Sequence, residues 1–235
     1  MKKIILLIAF FWVFQLAAQT SIYNKLLQKH VSNSGVVDYN SFKKDQEKLT
    51  TYISYLQETT PQESWSKNKQ KAFWINAYNA YTLQLILENY PLKSIMDINK
   101  NGKTAWKIPF AKVGGETYTL DYIEHEILRK KLFDPRIHVG VNCASISCPK
   151  LANIAFTENN IDATLEDLMK AFVNDNTRNK IAKNTIEISS LFDWFTEDFT
   201  INSSLIAYLN MYSETKINSD ATISYLKYDW SLNNK

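Results

Sequence analysis

Charge of one sign is what this sequence has least of. Its 235 residues carry 27 Lys and Arg against 24 Asp and Glu, a formal net charge of +3. Two of the positive charges, Lys2 and Lys3, lie at the very start, and without them the balance is +1. No basic stripe runs through the rest, so the electrostatic footprint of a nucleic-acid binder is missing. The runs "KKDQEK" and "SKNKQK" mix signs or polar residues and read as solvated helix surfaces. Cysteine is scarce: Cys143 and Cys148 are the only two. Neither stands directly after the N-terminal apolar run, which argues against a lipid anchor. Internal repeats and low-complexity linkers are absent as well. A chain that is 45% hydrophobic and 13% aromatic at this length supports one good core and is short for two.

The opening "MKKIILLIAFFWVFQLAAQT" has a basic start, an apolar run from Ile4 to Phe14 and a small-residue end from Leu16 to Ala18. This is the pattern of a secretory signal peptide over residues 1–19. The apolar run is too short to span a bilayer easily, which disfavours a membrane anchor. The expectation is a single domain over residues 20–235, periplasmic or secreted, with no membrane span once the signal is removed.

Helical spacing marks "SIYNKLLQKHV", Ser41 to Gln57, about Lys67 to Asn89, "YIEHEILRKKL", Ile161 to Val173, "LFDWFTEDF" and "SSLIAYLNMY". Pro91 ends the helix that begins near Lys67. "NKNGKTAW" holds an Asn-Gly turn, and "KIPFAKVGGETYTL" reads as a hairpin around Gly114 and Gly115. "RIHVGVNC" is expected to be the clearest core strand, "ASISCPKL" an irregular loop, and "TIEIS" and "TISYLKYDW" further strands. Helices and strands are segregated rather than alternating. That predicts an α+β fold, a single domain with helices packed on a small, mostly antiparallel sheet.

Taken together, "VVDYNSF", "AFWINAYNAYTL", "YPLKSI", "YIEHEILR", "RIHVGVNCASISCPKL", "SSLFDWFTEDF" and "YDWSLN" resemble the successive motifs of family 547 of the domains of unknown function, DUF547. The resemblance runs from about Val36 to Asn233. It implies no reaction, because the family is a sequence class without an established general activity. Chemistry has to be read from the residues themselves.

Asn76 and Asn79 stand three apart in a helix otherwise built of apolar and aromatic residues. A buried amide without partners costs roughly 1–3 kcal/mol, so both demand partners elsewhere in the fold. They either fasten a neighbouring loop through its main chain or line a polar pocket. Glu124 is the fourth residue of "DYIE", an Asp-capped relative of the capping box. His125 follows it, one turn before Arg129. On a strand, His138, Gly140 and Asn142 share one face and Cys143 lies on the other. Five extended residues cover roughly 16 Å, so His138 and Cys143 do not touch along a straight strand.

The cysteines admit three arrangements: a short-loop Cys143–Cys148 disulfide, two free thiols of which one is catalytic, or a zinc site with His125 and His138. The zinc spacing matches no compact template, and no cofactor is otherwise called for. The catalytic arrangement makes Cys143 the nucleophile and His125 or His138 the base. Glu124 would orient the base, and Asn76 or Asn79 would hold an oxyanion or substrate amide, with Asn142 nearby. The result is a Cys/His-dependent hydrolase or acyltransferase. The competing reading is a non-catalytic envelope binding or structural module with a buried polar network and a disulfide staple. In "YDWSLNNK", Tyr228, Trp230 and Leu232 read as packing residues of a docked tail, with Asp229 or Asn233 reaching a site as the alternative, and Asp193 in "SLFDWFTEDF" reads as part of a Ser-started cap rather than an acid.

Overall fold

The computed structural model describes residues 19–235. The signal-peptide reading falls on residues 1–19 and lies, but for its last residue, outside the described residues. The architecture is α+β, with helices gathered around one long central helix and three small sheets at its margins. Among the described residues no helix is long and apolar enough to cross a membrane.

Helix α1 covers residues 19–30. The helical stretch expected from Ser41 to Gln57 is two helices, α2 (Tyr39–Lys44) and α3 (Gln46–Glu58), parted at Asp45. Asp38 starts α2 by accepting the Ser41 N–H at 2.8 Å. Asp45 at the break accepts from His30 Nε2 at 2.9 Å, and the His30 ring stacks on Phe42, so this histidine is a packing residue.

The central helix is α4 (Lys67–Asn89), capped by Ser66 and ended before Pro91 as expected. Every residue from Ala72 to Leu83 is buried. A helix apolar on all sides must be covered on all sides, and α3, α5 (Tyr122–Lys131) and α7 (Ile161–Val173) pack around it.

The two expected turns hold. Asn101 and Gly102, at φ 54° and 77°, join β1 (Asn99–Lys100) to β2 (Lys103–Thr104). Gly114 and Gly115 join β3 (Ala111–Val113) to β4 (Glu116–Tyr118). Gly114 is required twice over: its φ is +58°, and a Cβ there would sit 2.8 Å from Thr60 Cα.

Three expectations need correction. First, "RIHVGVNC" is not a strand. Ile137–Gly140 is a one-turn helix, α6, wedged between α4 and α7, and the chain turns extended only at Val141. A short apolar run has no periodicity long enough to separate a buried strand from a buried helical turn. No neighbouring strand is there to pair with it. A Cβ on Gly140 would lie 2.9 Å from Leu165 and 3.1 Å from Ile75, which is why the turn is glycine.

Second, α5 is a π-helix, and Asp121 does not cap it. Asp121 is already helical, and Thr119 Oγ1 accepts the Tyr122 N–H at 3.0 Å instead. Glu124 is therefore free of the capping role given to it.

Third, the sheet is not one sheet. Beside the two hairpins, β5 (Lys180–Ile181) pairs antiparallel with β6 (Thr185–Ser189), and β6 pairs parallel with β7 (Thr222–Leu226). The chain after β7 leaves the sheet and runs back across residues 144–147.

Candidate active site

Two asparagines of α4 hold the loops that follow α6. Asn76 Nδ2 donates to Phe156 O at 2.7 Å, and its Oδ1 accepts the Phe156 N–H at 2.9 Å. Asn79 Nδ2 donates to Gly140 O at 2.8 Å, and its Oδ1 accepts the Asn142 N–H at 2.9 Å. Each amide thus offers a main-chain segment one donor and one acceptor, the pairing a neighbouring strand would supply. Both side chains are 3% exposed. The loop-fastening reading holds for both.

Asn142 continues the clamp. Its Oδ1 accepts the Ala144 N–H at 2.9 Å and its Nδ2 donates to Pro149 O at 2.8 Å. Ala144 sits at φ 59°, a left-handed conformation that a side chain disfavours. The Asn142 bond on one side and the Asn233 N–H on Ala144 O (3.0 Å) on the other hold it there. The bend turns the chain immediately after Cys143. Strain of this kind gathers at functional sites.

Cys143 and Cys148 are both free thiols, so the disulfide expected from their spacing is not formed. The loop folds back far enough for the Cys143 N–H to meet Cys148 Sγ at 3.1 Å. Cys143 is partly exposed and Cys148 buried. Around the Cys143 sulfur stand Ser145 Oγ at 3.1 Å and Tyr228 Oη at 3.3 Å, themselves 3.0 Å apart. The adjoining Cys148 thiol lowers the Cys143 pKa most, against the opposing effect of burial, and the Ser145 and Tyr228 hydroxyls add to it. The result is about 7. Burial pushes Cys148 and Tyr228 the other way, so each keeps its proton. The donors converge on one sulfur, which is how a thiolate is stabilised at neutral pH.

His138 is 1% exposed, with its ring stacked on Phe195 at 4.1 Å. Its Nε2 lies 2.7 Å from Asp198 Oδ2. A carboxylate accepts, so Nε2 carries the proton and the neutral ring keeps its lone pair on Nδ1. That Nδ1 is buried and has no protein partner. Asp198 is also gripped by Arg129, Nε to Oδ2 at 2.6 Å and Nη2 to Oδ1 at 3.0 Å. Burial alone would raise the Asp198 carboxyl, but the His138 and Arg129 hydrogen bonds outweigh it and hold it below the usual range.

Arg129 Nη1 stands 3.1 Å from His125 Nδ1 and can only donate. The neutral His125 ring therefore has its proton on Nε2 and shows an N–H, not a lone pair. Of the two candidate bases, His138 alone keeps a free acceptor nitrogen.

The two histidines and the two cysteines line one cavity of about 350 Å³, walled by Trp106, Trp194, Phe195 and Trp230. Glu124, His125, His138, Cys143 and Cys148 all face it, with Tyr228. Asn76 does not; it borders a larger hollow of about 690 Å³ between α3 and α4 that holds no cysteine or histidine. Asn79 and Asn142 line neither and have their amides committed to the main chain. The oxyanion and substrate roles considered for the asparagines are thus not supported by their geometry. Glu124 does not orient a histidine; Asp198 does. Glu124 lies against the Tyr78 hydroxyl, whose pKa burial raises first and Glu124 further. Among the described residues no three His, Cys, Asp or Glu side chains are gathered closely enough to hold a metal, so the zinc set is not assembled.

Asp198, Arg129, Ser145 and Tyr228 were not singled out as chemical residues by the sequence. Tyr228 read as packing, and Asp198 sits five residues beyond Asp193, which attracted attention and is exposed. The one available signal was two acids, Glu197 and Asp198, inside an aromatic run that has to be buried.

The model of the family described as Protein of unknown function, DUF547 matches residues 62–173. No curated protein and no solved structure matches the chain. The matched span holds Glu124, both cavity histidines and both cysteines, and stops short of Asp198 and Tyr228.

Proposed function

We propose that the cavity holding Cys143 and His138, both within the span that matches the DUF547 model, is a thiol-dependent acyl-transfer site, working as a hydrolase or acyltransferase after export. The observation that carries the reading is Cys143: a partly exposed thiol, lowered to about 7 by converging donors, on the wall that also holds His138. The thiolate attacks the carbonyl carbon of a bound ester, thioester or amide. The leaving group departs with the electron pair of its bond and a proton from water. Water, or an acceptor nucleophile, then opens the thioester, and His138 Nδ1 accepts its proton and returns it to the hydroxide left when the leaving group took a proton from water, so the ring is neutral again. The net change adds water or the acceptor across the acyl bond. Asp198 positions His138 through Nε2, and the Tyr228 hydroxyl, beside the sulfur and on the cavity wall, is a donor for a developing oxyanion.

His138 and Cys143 are not hydrogen-bonded, since His138 Nδ1 has no partner. A substrate carbonyl seated between sulfur and ring fits that arrangement, as such contacts tighten on binding. The test is a panel of acyl thioesters and nitrophenyl esters, with mass spectrometry for an acyl adduct on Cys143. Turnover lost on Cys143→Ser or on alkylation is expected. No adduct and no turnover from protein with two free thiols would leave the binding-module reading, which the structural roles of Asn76, Asn79 and Asn142 favour.

Export rests on the basic, apolar and small-residue order of the first residues. The expected mature chain starts between about Gln19 and Ser21 and is periplasmic or secreted. An intact Met1 start in the cytoplasmic fraction, found by mass spectrometry, would refute it.

A further inference from the structure

The geometry points to a cationic amine as the group this cavity recognises: its substrate carries an ammonium on a short apolar stem, held by Glu124 and the surrounding aromatic faces. This rests on the acyl-transfer reading only for where the reacting carbonyl lies; recognition of the amine stands on other residues.

Glu124 is 8% exposed yet lines the cavity. A carboxylate so deep in an apolar wall is costly unless a cation meets it. Arg129 is close enough for Glu124 to help hold its charge, but its guanidinium is bonded to Asp198 and His125, not to Glu124. Tyr78 gives Glu124 a hydroxyl neighbour but no charge. The lining includes a second carboxyl, Asp121, and no Lys or Arg. The opposite wall is π-surface: Trp194 stacks on Trp230 at 5.8 Å, and Trp230 meets Trp106 edge-on at 5.6 Å. Aromatic faces attract cations, and more so when water is excluded. An anionic substrate would meet two carboxyls and no guanidinium or ammonium. A neutral one would leave Glu124 with no cation inside the cavity.

Two probes of equal length separate charge from apolar fit: n-hexylammonium and n-hexanol, titrated into the whole mature protein at pH 7 and followed by tryptophan fluorescence. The ammonium should bind about tenfold tighter or more, and high salt should weaken only the ammonium. Glu124→Gln should abolish the difference, chiefly by weakening the ammonium. Equal affinities in the unmodified protein overturn the proposal without any variant. So does a Glu124→Gln protein, folded by circular dichroism, that still prefers the ammonium. If the ammonium preference holds but no acyl adduct ever forms on Cys143, the binding inference stands and the acyl-transfer reading falls. If acyl transfer occurs with no preference for amine-bearing acyl groups over neutral ones, the reverse is true.

Discussion

Asn79 does for the loop before Cys143 what a partner strand would do. Its amide takes the Gly140 carbonyl and the Asn142 N–H, two groups with no other place to bond once α6 has ended. Replacing it by Leu removes both partners at once and leaves a buried donor and acceptor behind. The expected cost of Asn79→Leu is about 1–3 kcal/mol of unfolding free energy by urea titration. A loss within experimental error would mean water substitutes there, and the loop is not held from α4. The sulfur itself offers a second prediction at this scale. Thiolate is the reactive form, so alkylation of Cys143 by iodoacetamide should rise with pH and reach half its plateau near 7. Tyr228→Phe removes one of the donors that lower it, so the midpoint should move upward. A midpoint already near the ordinary thiol value of about 8.5 in the unmodified protein would deny the donors their effect.

At the scale of elements, Asp198 joins three helices. It lies on α8 (Thr196–Thr200) and bonds Arg129 of α5 and His138 of α6. Asp198→Asn keeps the size but offers His138 an amide in place of a carboxylate, so the ring tautomer is no longer fixed. Acyl turnover should fall sharply while the rate of Cys143 alkylation stays near wild type, because the sulfur's own donors are untouched. The stability effect has a defined sign. A carboxyl held low in the folded state stabilises above its unfolded value of about 3.9 and loses that contribution as pH falls below it. The gap between wild type and Asp198→Asn should therefore be steady from about pH 5 to 7 and shrink below about 4. A gap that widens in acid would contradict the pairing.

The same elements show what the sequence could and could not disclose. The long α4 and the two glycine turns were legible because their signals are local: unbroken apolar helix, Asn-Gly, Gly-Gly. Glu124, His125, His138 and Cys143, which the sequence reading grouped with Asn76 in one catalytic arrangement, line one cavity, while Asn76 borders another. The Ile137–Gly140 turn was not legible, because four buried residues are too few to show a period and fit a strand as well as a helix. Asp198 was hidden for another reason. Its role comes from packing between helices 60 residues apart in sequence, and nothing local in "FTEDF" announces it.

At the scale of the whole molecule, the last nine residues bind distant parts of the chain together. Asn233 O accepts the Val37 N–H, Leu232 N–H donates to Lys93 O, and Asn233 N–H donates to Ala144 O. The Ile146 and Ser147 amides donate to Ser231 O and Asp229 O. The tail is thus docked, as its packing residues suggested, and it also supplies Tyr228 to the sulfur and Trp230 to the aromatic wall. Ending the chain at Leu226 would strip the loop from 144 to 147 of its main-chain partners and the cavity of one side. Two measurements should move together. The thermal midpoint falls, and the pH midpoint of Cys143 alkylation rises further than in Tyr228→Phe, because the left-handed bend at Ala144 loses one of the two bonds that hold it. If the truncated protein kept both midpoints, the tail would be peripheral, and the lowered thiol would have to be explained by Cys148 and Ser145 alone. If stability fell while the thiol midpoint stayed put, the tail would be a structural clasp, and Tyr228 would have no part in the chemistry.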